Sequence, residues 1–407
     1  MRSLSAGSTT PGKWSSPARS CWWPCTSTGC GNDSSPAGPD PRLPPMREAL
    51  SVSSTETPDA GVAEMAAATR SRAVAAGIDV HEYDAVTGAL TSLDRWSDSF
   101  RDVAAGYVRT AVAAREKGLA VTSGEAFLAA SAWYYFAGSW PSPRTGTYQE
   151  AAQAQSAALA VLDPGAERLE GELFRGVLRR PAQESAALVV LVPGLDGAKE
   201  ELWSLAEALL ARGCATFVLD GPGQGELVGV QPPTTDYPAV VREALDVVGA
   251  RFAEEGRHVR AGILACSLGG LYATATLAEE PRLRAGVIVS GLVRAPAYDD
   301  LPPLIQGLLT VRAGDEESAR RFAGSLDVAD AASAIDVPLL VVDGDADPLV
   351  HGDFTGRWLA EHVPGAERRV VAGGDHNIAN ARGRWLPAAA DWLAQQLGAP
   401  VVSAVPA

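Results

Sequence analysis

Residues 259–276 read Val-Arg-Ala-Gly-Ile-Leu-Ala-Cys-Ser-Leu-Gly-Gly-Leu-Tyr-Ala-Thr-Ala-Thr, and they constrain the fold more than any other stretch. An apolar run ending at Cys266 reads as a buried strand. Leu271, Ala273, Ala275 and Leu277 then fit a buried helix. Between them stand Ser267, Leu268, Gly269 and Gly270. Strand, one-residue turn, helix is the geometry of a nucleophile elbow, which lifts a serine hydroxyl out of the backbone. The turn is tight enough to require small residues two positions either side of the serine. Gly269 meets that need, and Ala265 stands where a first glycine is usual. The alternative is an ordinary strand-to-helix turn with a Gly-Gly pair, so an acid, a base and an oxyanion site are required from the rest of the chain.

The 407 residues suffice for two domains or one with a large extension, and acids exceed bases by 15. Such a balance argues against a nucleic-acid surface, which needs a basic patch. No run of about 18 apolar residues is present, so no membrane span is expected. No apolar segment follows Arg2 in the manner of a secretory signal. The five cysteines are an odd number and argue against a disulfide framework. Cys21, Cys25 and Cys30 have no histidine near them to complete a metal site, so no metal is expected. A reducing cytoplasm fits best.

Residues 1–57 mix Pro, Ser and Gly with scattered tryptophans and show no period. This extension is read as disordered, and residues 1–45 as the product of an upstream start. Residues 58–165 read as a helical region. Helices are expected from Pro58 to Ala76, Asp94 to Lys117, from a capping box at Thr122–Glu125 up to Pro141, and from Tyr148 to Leu162. The cluster Trp133-Tyr134-Tyr135-Phe136 is read first as core, and Tyr134 as a candidate substrate contact. From residue 166 to 399 the period changes, with 400–407 left as a tail. Edge strands near Glu170–Arg180 precede alternating strands and helices: Ala187–Pro193, Glu200–Arg212, Ala215–Asp220, Tyr237–Glu255, His258–Cys266, the elbow helix, Leu283–Ser290, Pro338–Asp343, Thr355–His362, Arg368–Ala372 and Trp385–Leu397. That alternation indicates a mostly parallel, doubly wound α/β sheet.

A serine on an elbow needs a base. Of the five histidines, His81, His258, His351 and His362 are badly placed. His376, in Gly373-Gly374-Asp375-His376 after the last strand, is the candidate. The acid belongs after a strand between serine and histidine in sequence, and Asp343, Asp345 and Asp347 all follow Val341-Val342. Asp347, farthest into the loop, is favoured to orient the imidazole. Two backbone N–H groups must face the developing charge: Leu268, following the serine, and Leu195, in Gly194-Leu195-Asp196-Gly197. Gly221-Pro222-Gly223-Gln224-Gly225 lacks the Lys-Ser/Thr of a phosphate cradle and reads as a structural turn.

Together these residues resemble the α/β-hydrolase superfamily. Val192-Pro193-Gly194-Leu195-Asp196-Gly197-Ala198-Lys199-Glu200-Glu201, Leu219-Asp220-Gly221-Pro222-Gly223-Gln224-Gly225-Glu226 and Cys266-Ser267-Leu268-Gly269-Gly270 are similar to the subgroup of dihydroxypseudooxynicotine hydrolase, fungal polyketide-shortening hydrolases and the fermentation–respiration switch protein. Ser123-Gly124-Glu125 and Tyr134-Tyr135 resemble its N-terminal helical domain. The resemblance implies helices capping the sheet, a Ser267–His376–Asp347 triad, no cofactor and a small-molecule substrate, with a homodimer as one expected assembly. It implies hydrolysis of a carbon–carbon bond beside a ketone, with an esterase, an acyl-transferring cyclase and a non-catalytic binding protein as alternatives. Asp196 is a further candidate substrate contact. C–C-cleaving members carry an acid after the strand that follows the elbow, for which Asp299 and Asp300 are the nearest here.

Overall fold

Short apolar runs become the strands of one sheet because both faces of that sheet are covered. A computed structural model describes residues 60–139, 146–350, 352–353 and 355–400. The extension with Cys21, Cys25 and Cys30, the helix limits at Pro58 and Pro141, His351 and the tail beyond Pro400 lie outside these residues. The strands are β1 (Glu167–Glu170), β2 (Arg175–Arg179), β3 (Ala187–Val192), β4 (Ala215–Asp220), β5 (Arg260–Cys266), β6 (Leu283–Val289), β7 (Leu339–Gly344) and β8 (Glu367–Val371). Their order is β1-β2-β4-β3-β5-β6-β7-β8. The pairs β1–β2 and β2–β4 are antiparallel, and every later pair is parallel.

Alternation along β3 divides the core in two. Leu188, Val190 and Val192 join Phe217, Ile263 and Ala265 on one face. Ala187, Val189 and Leu191 join Leu264, Cys266 and Val342 on the other. The first face is covered by α7 (Tyr237–Glu254) and α8 (Leu268–Glu279). The second is covered by α6 (Trp203–Leu210) and α13 (Arg382–Gln396). Between β6 and β7 the chain forms α9 (Pro303–Ala313), α10 (Glu316–Gly324) and the single turn α11 (Ala329–Ala332), and α12 (Gly356–His362) precedes β8.

The helical region contains α1 (Ala60–Ala75), α2 (Val80–Gly88), α3 (Trp96–Glu116), α4 (Ala120–Ser139) and α5 (Thr147–Leu162). Its core is aromatic: Trp96 stacks on Phe100 at 4.5 Å, and Phe100 meets Trp133 at 5.1 Å. Small residues let α4 and α5 approach closely. A Cβ on Gly124 would lie 2.6 Å from Leu162 Cγ. The capping box expected at Thr122–Glu125 is not a cap. Gly118, at φ 71°, ends α3 in a left-handed turn, and Leu119 N–H returns to Ala114 O. The chain re-enters helix at Ala120, so Thr122 and Glu125 lie inside the first turns of α4.

Candidate active site

The elbow forms as the sequence pattern requires. Ser267 sits at φ 58°, ψ −126°, between β5 and α8. That backbone conformation costs a non-glycine residue on the order of 1–3 kcal/mol and persists only where its surroundings enforce it. A Cβ on Gly269 would lie 2.6 Å from Pro193 O, and one on Gly270 would lie 2.8 Å from Gly291 Cα. Both glycines are therefore required by close backbone approach. Ala265, in the usual place of a glycine, is fully buried, and its methyl group joins the core on the α7–α8 face.

His376 reaches the serine from the loop after β8. Its Nε2 lies 2.9 Å from Ser267 Oγ, and its Nδ1 lies 2.9 Å from Asp347 Oδ2. The loop is anchored through Gly374, whose carbonyl accepts Ala346 N–H at 3.0 Å. A Cβ on Gly344 would lie 2.2 Å from that same carbonyl oxygen, so the ends of β7 and β8 can meet only as glycines. Beyond the histidine, Asn377 and Ile378 hold φ 61° and 48°, and Ser290 Oγ accepts Asn377 N–H at 3.0 Å.

The three aspartates have different partners. Asp347 accepts His376 Nδ1 and the N–H groups of Leu349 and Val350, at 2.9 and 3.0 Å. Burial opposes its ionisation, but these donors, His376 foremost, hold its carboxyl below the ordinary range. Asp343 pairs with Arg368 at 2.7 Å, and burial raises its pKa despite that partner. Asp345 accepts Gly373 N–H at 2.6 Å and ties the turn.

Leu268 N–H opens α8, where helix amides have no internal acceptor. Among the described residues neither it nor Leu195 N–H donates a hydrogen bond. The loop carrying Leu195 is set by Gln224. Its Nε2 donates to Pro193 O and Gly194 O, both at 2.9 Å, while Oε1 accepts Gly221 N–H at 3.0 Å and Tyr237 O–H at 2.8 Å. A trans peptide points its C=O and N–H in opposite directions. Fixing Gly194 O on Gln224 therefore turns Leu195 N–H away from that amide.

A cleft beside Ser267 is lined by Arg72, Asp196, Glu201, Asn377 and Arg382 among others. Arg72 donates to Asp196 at 2.8 Å and to Glu201 at 2.8 and 3.0 Å, and Tyr135 O–H donates to Glu201 at 2.6 Å. Burial alone would lower the Arg72 pKa, but the two carboxylates raise it well above the ordinary value. Asp196 stands in the cleft as expected. Tyr134, Asp299 and Asp300 do not. Tyr134 faces an outer groove with Arg95, Asp98 and Arg101, because one helical step turns it away from Tyr135. Asp299 pairs with Arg320 at 2.6 Å on the surface, and Asp300 is exposed, since the 3-10 turn holding both lies outside the cleft. Arg72, Tyr135, Glu201 and Arg382 were not legible as site residues. Glu200-Glu201 beside the Leu195 loop was the one available signal.

Residues 183–314 match the family described as Hydrolase_4: Serine aminopeptidase, S33. Over 205 residues the chain is 32% identical to 2,6-dihydropseudooxynicotine hydrolase of Paenarthrobacter nicotinovorans, an alignment covering 49% of this chain and 54% of that protein. The chain thus spans about half the length of that curated relative. The crystal structure of 2,6-dihydroxy-pseudo-oxynicotine hydrolase superposes with a TM-score of 0.70 at 25% identity, covering 82% of this chain and 98% of that one. A structure of AbyA5 superposes with a TM-score of 0.62 at 20% identity, covering 82% and 99%.

Proposed function

We propose that the chain is a serine hydrolase of the α/β-hydrolase superfamily, which it resembles in fold and in part of its sequence, acting on a small ketone or ester held between the helical region and the sheet. The observation that carries this reading is the continuous relay from Ser267 Oγ through His376 to Asp347, with both contacts to the imidazole at 2.9 Å. His376 takes the proton of Ser267 as its oxygen attacks the carbonyl carbon. Asp347 holds the imidazole in the required tautomer and stabilises its charged form. The N–H groups of Leu268 and Leu195 receive the oxyanion. The tetrahedral intermediate then expels its leaving group, which takes the proton from His376. In C–C cleavage that group departs as an enolate or carbanion equivalent, and in ester cleavage as an alcohol. Water hydrolyses the acyl-serine by the same relay.

Carbon–carbon cleavage is preferred because a 2,6-dihydroxy-pseudo-oxynicotine hydrolase is among the structures that superpose on 82% of this chain, and at 25% identity it is more similar in sequence than AbyA5 at 20%. Purified protein is to be offered aryl 1,3-diketones and aryl esters, with products resolved by mass spectrometry. The reading expects a carboxylic acid and a ketone from the diketone, lost in Ser267→Ala. Turnover of esters alone would move the assignment to an esterase. Turnover of neither class would contradict a hydrolase.

A further inference from the structure

We infer that the substrate carries a carboxylate a few atoms from its reacting carbonyl, and that Arg382, with Asn377 in the same cleft, receives that carboxylate. The inference rests on the hydrolase reading of Ser267 and adds the class of substrate to it.

Among the described residues two arginines near the cleft have no ion pair, Arg312 and Arg382, and the Nε of each is buried without a partner; of the two, Arg382 lines the cleft. Arg72 binds both Asp196 and Glu201. Arg312 is also buried near Asp196: its Nη2 donates to Asp196 O at 3.4 Å and to Tyr148 O–H at 2.6 Å. Its positive charge helps hold the Asp196 carboxyl below the ordinary range. Asp375, the nearest acid along the chain, accepts Asn380 N–H at 3.2 Å. Arg382 lines the cleft with Ser267; Glu201 and Asp375 attract it at longer range, but among the described residues no carboxylate forms an ion pair with it. Its Nη1 donates to Ser204 Oγ. Among the described residues its Nε is buried without any partner, and no acceptor meets Nη2. Nε and Nη2 form the side-on edge of a guanidinium, the fork that takes both oxygens of a carboxylate. An arginine cannot discharge itself by losing a proton, so its buried edge calls for an anion.

Asn377 adds a second, independent sign. Among the described residues its Oδ1 is buried without a partner, and it lines the same cleft. Its backbone is held at φ 61°, a conformation L residues rarely adopt. The Ser290 hydroxyl that accepts Asn377 N–H secures that conformation. The carboxamide can present either its oxygen or its NH₂, and the NH₂ would complete the cradle for a carboxylate.

The test is equilibrium binding to Ser267→Ala, which needs no turnover. Titration calorimetry compares mono-4-nitrophenyl glutarate with 4-nitrophenyl pentanoate, a neutral ester of equal chain length. The carboxylate ester is expected to bind at least about tenfold more tightly, the effect of a charge-assisted hydrogen bond. Adding Arg382→Gln removes the difference, and adding Arg382→Lys retains part of it. Equal or absent binding of the two esters to Ser267→Ala overturns the inference whether or not the Arg382 variants fold. A difference that survives in folded Arg382→Gln also overturns it. Wild-type turnover of neutral esters, together with equal binding, would leave the hydrolase reading standing and sink this one alone.

Discussion

Gln224 holds the carbonyl of Gly194 from 2.9 Å and that of Pro193 from the same distance. One carboxamide thus fixes the peptide that carries Leu195 N–H. What reads in the sequence as a glycine-rich turn is the support of the Gly194-Leu195 loop. Gln224→Glu replaces the two-carbonyl donor with an acceptor and frees that peptide to rotate. Steady-state kinetics should show kcat reduced by about 10², as for loss of one oxyanion donor, with KM little changed. An unchanged kcat in folded protein would remove Gln224 from the mechanism.

The acids make a separate prediction. Asp347→Asn should lower kcat by about 10⁴, because the imidazole loses the partner that sets its tautomer. Asp345→Asn should cost little activity, since its contact is to Gly373 N–H. Asp343→Asn should still turn over when folded. Circular dichroism must show each variant folded before rates are compared. A larger loss for Asp343→Asn or Asp345→Asn would assign the acid elsewhere.

Cys266 adjoins Ser267 yet should be inert. Burial pushes its thiol up to about 12, and only the thiolate attacks alkylating agents. Mass spectrometry after iodoacetamide at pH 8 should show Cys266 unmodified in native protein and modified after denaturation. Rapid native labelling would contradict the closed packing behind the elbow.

The architecture was legible because its signals are local. Ala215–Asp220 and the elbow are periodic runs bounded by turn residues, and Tyr237–Glu254 differs by one residue from its expected limit. The helices of segment 291–337 were not legible. Pro296, Pro302 and Pro303 interrupt its pattern, and its helices are held by packing on the core: Leu309, Ala319, Phe322 and Ala323 all join it. The Thr122 box failed because tight packing of α4 on its neighbours overrode a local capping preference. Ser267 could be nominated from the elbow pattern, and His376 and Asp347 from chain order together with their places in loops after strands. Arg72, Tyr135 and Arg382 could not, because they converge from three distant helices and only tertiary structure shows them meeting.

A pH prediction follows from Glu200. It is buried 2.8 Å from Lys199 Nζ, with Asp220 and Glu226 sharing the same ammonium. Burial raises its carboxyl to about 7 in the folded protein, against about 4.3 for an unperturbed glutamate. The folded state therefore binds the proton more tightly than the unfolded state. This contribution to stability is full below about pH 4 and is lost as pH rises through 7. Thermal melts should show Glu200→Gln gaining Tm relative to wild type at pH 8 compared with pH 5. An equal Tm difference at the two pH values would contradict the assignment.

The central claim is that Ser267 is a nucleophile activated by His376. Intact protein treated with a fluorophosphonate, then digested and mapped by tandem mass spectrometry, tests it most directly. The account predicts one phosphonyl adduct, on Ser267, absent in Ser267→Ala and slowed by orders of magnitude in His376→Ala. No adduct on Ser267, or labelling that persists undiminished in folded His376→Ala, would contradict it.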